Sequence, residues 1–198
     1  MSVNAPCLPT CEVIIMKPFP VHTIESSPEK SRASLEALQS AFGMIPNIAG
    51  AMATSPVLID CLVGLFGKVH GGSFTEDQIQ IVLLTDAVVN SSRWAVAFHS
   101  ALALQQGISA ADVDAIRDGH LPSDPKFAAL SALARAMIEK RGHVTRQDMD
   151  SFLDAGFDNA RLLEVIAIVA ASTITNYTAT ITNPPLEEAF KQHTWARG

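Results

Sequence analysis

The stretch Ser92-Arg-Trp-Ala95-Val-Ala-Phe-His99-Ser-Ala-Leu-Ala decides how this chain is read. Its residues show no alternation of apolar and polar side chains, as a half-buried strand would, and Gly107 closes it at helix length. Positions 92, 95 and 99 are three and four residues apart, so all three project from one helix face, with Ser92 at the helix start. A nucleophile at that first position would feel the positive end of the helix dipole, and a base further along could take its proton. The geometry suits thiol chemistry, and His99 is the one histidine of six that lies in a patterned helix.

Helical patterning continues on both sides. Upstream, helices are predicted over about residues 28–42, ended by Gly43, and about 55–69, with Pro56 in the first turn and Gly71-Gly72 as the stop. Thr75 followed by Glu76 and Asp77 opens a helix to about Asn90, on which Ile79, Val82, Leu83 and Ala87 recur at helical spacing. Downstream, Ser109 with Asp112 has the form of a capping box for a short helix to Arg117, so five helices precede the loop Gly119 to Pro125. Asp124-Pro125 then opens a helix to about Lys140, Thr145 caps residues 146–155, and Asp158 caps a long apolar helix through Ile174 or beyond. Asn183-Pro184-Pro185 breaks the chain before a last short helix at about 186–192. Pro6, Pro9, Pro18, Pro20 and Pro28 make residues 1–27 an extended N-terminal arm, leaving 28–198 as the helical domain. The predicted fold class is all-α, a helical bundle.

Composition narrows the function. The 198 residues are 48% apolar and 17% charged, which is a folding chain and not a disordered one. Fourteen Lys and Arg against twenty Asp and Glu give a net charge of −6, so no cationic surplus is present to displace counterions and nucleic acid is not an expected partner. The longest strongly apolar stretch, Leu162 to Ile174, is shorter than the roughly 20 residues of a membrane span and contains Glu164, so no membrane association is expected. Neither a secretory h-region nor a disulfide framework is visible, because the three cysteines cannot all pair within one chain. A reducing, cytoplasmic location is the expectation.

No GxGxxG, Walker, CxxC or HExxH sequence occurs, and no cofactor is expected. Cys7 and Cys11 lack the further Cys or His partners that a zinc site needs, so no metal is expected and both read as free thiols of the arm. Cys61 lies in an apolar helix and reads as core.

With these motifs in place, the sequence resembles the alkylhydroperoxidase D and carboxymuconolactone decarboxylase superfamily, whose peroxidase members carry C-x-x-C-x-x-x-H at this place. Met44-Ile-Pro-Asn47 with Ala53-Thr-Ser-Pro56, Phe98 through Ser109, and Gly156-Phe157 with the helix that follows also resemble that family, over about residues 28–190. The resemblance implies a bundle of two related helical halves that assembles as a homo-oligomer. It also implies a relay in which two thiols, a glutamate and a histidine reduce a peroxide. Here Ser92 and Ala95 stand at the two cysteine positions, Gln80 at the glutamate position, and His99 is kept. Alanine has no nucleophile, and a serine hydroxyl cannot climb to a sulfenic acid or a disulfide. Thiol peroxidase activity by the family route is therefore expected to be lost.

Ser92 and His99 cannot replace it as a hydrolytic pair, since seven residues of helix rise about 10.5 Å, against the roughly 2.6–3.2 Å that nucleophile and base need. What remains is His99 as catalytic residue, a cofactor-free acid or base toward a small-molecule ligand or substrate, as the family's lactone decarboxylases imply is workable on this scaffold. Gln80, Ser92, Ala95 and Trp94 are the pocket candidates. Structural alternatives stand beside each: His99 as a satisfied core histidine, Gln80 as its amide partner, Trp94 as packing or interface, Ser92 as an N-cap, and Asn176 as core. His70, His120 and His143 read as solvent-facing. Three function classes follow: a divergent acid–base enzyme, a non-catalytic binding or structural protein, and a peroxidase by another route.

Overall fold

The computed structural model describes residues 18–196, and these form helices joined by short turns with no strand among them. Arg32–Phe42 is α1, preceded by a 3-10 turn at Glu29–Ser31; Asn47–Met52 is α2, Pro56–His70 α3, Glu76–Val89 α4 and Arg93–Gln105 α5. Ala110–Arg117 is α6, Pro125–Glu139 α7, Arg146–Asp154 α8 and Asn159–Thr182 α9, and a 3-10 helix at Glu188–His193 completes the order.

The local signals act as the sequence implies. Ser55 Oγ accepts from the Leu58 N–H at 3.3 Å, Ser109 Oγ from Asp112 at 3.1 Å, and Asp158 Oδ1 from Arg161 at 2.8 Å, each filling an orphan donor of a first turn. Gly43 and Gly107 end α1 and α5 with φ of +72° and +84°, a left-handed conformation that a Cβ would strain.

Two elements differ from expectation. α2 is an additional helix, so among the described residues six α-helices and not five precede the loop before Pro125. It has no side-chain cap of its own; its Asn47 N–H donates to Glu187 Oε1 at 2.5 Å, a cap supplied 140 residues later in the chain. The last helix is a 3-10 segment and ends at His193.

α4 is the centre of the bundle, with every residue from Ile79 to Val88 buried, because it packs on α5, α7 and α9 at once. α9 continues beyond Ile174 to 24 residues, long and apolar enough by length and composition to cross a membrane. It is a core helix here, burying Val165, Ile168, Ala171, Ser172 and Asn176 against α3, α4 and α5. Its other face leaves Leu163, Ile166, Tyr177 and Ile181 exposed. One hydrophobic cluster runs from Leu35 to Trp195 and joins α1 through α9.

Of the predicted arm, residues 18–27 are described and lie against the body. The His22 N–H donates to Gly50 O at 3.1 Å, and a Cβ at Gly50 would sit 2.7 Å from Val21 Cγ1, so the chain crosses α2 where only glycine fits. Cys7 and Cys11 lie outside the described residues. Cys61 is exposed on α3, not core as its apolar neighbours imply, because its position faces away from the packed side carrying Ile59 and Leu62.

Candidate functional site

α5 begins at Arg93, with Ser92 as N-cap, and carries His99 to the interior of the bundle, where only 2% of the residue is exposed. Its Nδ1 lies 3.0 Å from Gln80 Oε1 on α4. With the amide oxygen accepting, Nδ1 holds the proton and Nε2 keeps the lone pair. Burial lowers the pKa of His99 to about 3, with the charge of His70 adding to the effect, so the ring is neutral at physiological pH. The pairing of Gln80 with His99 is the one the sequence alternatives contained.

The imidazole borders a small, mainly apolar pocket of about 40 Å³, walled by Leu38, Phe42, Phe66, Trp94 and Phe98. That is room for a few water molecules at most. Leu38, Phe42 and Phe66 are also a wall of a larger open cleft of about 550 Å³, into which Gln80 faces. Gln80 thus touches the cleft on one side and His99 on the other, and the three apolar side chains partition the two spaces.

The other candidates divide. Trp94 lines the inner pocket, but its Nε1–H donates to Glu187 Oε2 at 3.0 Å and its ring stacks on Phe98 at 4.8 Å, the packing role among its alternatives. Ser92 is 1% exposed and its Oγ has no hydrogen-bond partner among the described residues, so it neither caps α5 through its side chain nor pairs with His99. Ala95 is fully buried. Neither borders the inner pocket or the cleft.

Sequence reasoning passed over two features. His70 is exposed, as expected, yet it lines the cleft and its Nδ1 lies 2.9 Å from both Glu76 carboxylate oxygens. The available signal was the i, i+4 spacing of Glu76 and Gln80 on one face of α4. The second is Asp86, fully buried on α4 with neither carboxyl oxygen hydrogen-bonded among the described residues. Burial raises its pKa well above the usual carboxylate range, opposed by the nearby Ser172 hydroxyl, so the group is held towards its neutral form.

No family model matches the sequence, and no curated protein does. Solved structures match its fold. An uncharacterized peroxidase-related protein with an alkylhydroperoxidase AhpD core from Ralstonia eutropha JMP134 superposes with a TM-score of 0.77 at 17% identity, over 87% of this chain and 93% of that one. The debrominase Bmp8, as a cysteine-to-alanine variant in complex with 2,3,4-tribromopyrrole, gives 0.76 at 15% identity over 90% and 96% of the two chains. An uncharacterized peroxidase-related protein from Silicibacter sp. TM1040 gives 0.70 at 15% identity over 89% and 97%. The fold is thus the all-helical alkylhydroperoxidase D-like fold, over nearly the whole length of those neighbours.

Proposed function

We propose that this chain is a divergent member of the alkylhydroperoxidase D and carboxymuconolactone decarboxylase superfamily that has lost thiol peroxidase chemistry. It performs cofactor-free acid–base chemistry on a small organic metabolite, with His99 as the catalytic group. The observation that carries the reading is the 3.0 Å contact between His99 and Gln80, with Ser92 and Ala95 at the positions where sulfur would act. An amide partner sets the imidazole tautomer without adding charge, and Nε2 is then the basic atom of the ring. The aromatic walls of the pocket and cleft suit a small flat molecule, the kind of ligand that the debrominase neighbour holds. Movement of Phe42, which is 36% exposed at the end of α1, would join the two spaces. The exposed apolar residues of α9 support assembly with further copies of the chain.

A second reading has its own support. A histidine with a pKa of about 3 is a weak base at neutral pH, and a 40 Å³ pocket admits no metabolite without rearrangement. Both facts favour a non-catalytic binding or structural member of the fold. Metabolite screening separates the two: turnover that collapses in His99→Ala and survives in Ser92→Ala is the enzyme's result, whereas ligand-induced thermal stabilisation without turnover is the binding protein's.

A further inference from the structure

The open cleft beside the buried histidine holds a pair of titratable groups of its own. His70 is the last residue of α3 and Glu76 the first of α4, and the turn between them brings Nδ1 to 2.9 Å from each carboxylate oxygen. The imidazole stacks on Phe66, with ring centroids 5.5 Å apart. A carboxylate on Nδ1 keeps the hydrogen there and leaves the lone pair on Nε2, which makes no hydrogen bond among the described residues. Gln80 stands one helical turn from Glu76 on the same wall, and Leu38 and Phe42 line the cleft with Phe66. The cleft therefore combines an oriented base, an amide and aromatic surface in a volume that fits a small ligand.

We propose that His70, oriented by Glu76, is a catalytic base of this cleft, and that the cleft takes small planar molecules carrying a weakly acidic hydroxyl, phenols or enols. The proposal rests on the thiol-free acid–base reading above and gives its substrate class. In the step, the hydroxyl O–H bond breaks and its electron pair stays on oxygen as a phenolate or enolate. The proton passes to Nε2, and the resulting imidazolium keeps its Nδ1–H on the Glu76 carboxylate. No other reagent is consumed. Glu76 is a positioning residue.

The test uses para-nitrophenol with the full-length protein, because its phenolate is coloured and its phenol is not. At a pH just below the probe's own midpoint, binding is expected to raise the phenolate-to-phenol ratio roughly tenfold, the equivalent of about one pKa unit. His70→Gln, checked for folding by circular dichroism, is expected to abolish that rise while equilibrium dialysis still detects binding. Glu76→Gln should reduce the rise and Glu76→Asp restore part of it, a pattern that a purely structural carboxylate would not give. His143→Gln, at an exposed position outside the cleft, should leave it unchanged. Absence of binding, a rise that persists in His70→Gln, or one that is lost equally in His143→Gln overturns the proposal. Loss of the thiol-free reading would appear separately, as hydroperoxide reduction indifferent to His70→Gln.

Discussion

Acidification from pH 7 to about 4.5 is expected to cost the folded protein up to about 3 kcal/mol through His99 alone, at roughly 1.4 kcal/mol per pH unit. The native imidazole is held neutral by burial down to a pKa of about 3, while in the unfolded chain it takes a proton near the ordinary 6.5. Between those values the unfolded state binds the extra proton, so stability is fully present above about 6.5 and falls as the pH drops towards about 3. Asp86 acts with the opposite sign, since its raised pKa favours the native state at lower pH, and comparison with a variant isolates the histidine. His99→Gln cannot titrate and presents an amide at the same place. Urea unfolding at pH 7.5, 6, 5 and 4.5 should give a steeper loss for the natural protein than for the variant, by about a kcal/mol per unit below pH 6. Parallel slopes would mean that the imidazole is hydrated and charges freely in the folded state.

Trp94→Ala is expected to destabilise by about 3–5 kcal/mol, the usual cost of deleting a large buried aromatic. More than volume is lost. The indole N–H is one of two donors to the Glu187 carboxylate, the other being the Asn47 N–H at the start of α2, and Glu187 is only 9% exposed. Removing the indole leaves a nearly buried carboxylate with one of its partners gone, and loosens the C-terminal segment from α2 and α5 together. Trp94→Phe keeps the stacking on Phe98 and should lose less. Denaturant midpoints give the size of both effects, and faster amide exchange over residues 186–195 in the alanine variant would locate them. A loss below about 1 kcal/mol would show that this hydrogen-bonded junction contributes little.

Helices with local signals were legible: Ser55, Ser109, Asp124, Thr145 and Asp158 each stand where a helix begins, and Gly43, Gly107 and Gly156 where one ends. α2 was not, because its cap comes from Glu187, and no local pattern encodes a partner that distant. The pairing of His99 with Gln80 was legible as an alternative, since position 80 matched a motif and helix spacing turned both residues inward. The size of the inner pocket was not, because it depends on how Phe42 and Phe66 meet Trp94 across three helices. Cys61 shows the same limit from the other side. An apolar helix need not bury every apolar position, and which face turns outward is set by the neighbours it packs against. The dyad of His70 and Glu76 lies across a turn, where side-chain direction is a tertiary matter.

Sulfur is absent from the face of α5 where Ser92 and Ala95 stand, and an imidazole with an amide beside it remains. The most direct measurement is the rate at which the full-length protein reduces an alkyl hydroperoxide with a dithiol donor, in the natural sequence and in Cys61→Ser. The expected result is consumption no faster than donor alone in both proteins. Turnover above that background, in either one, would contradict the loss of thiol peroxidase chemistry.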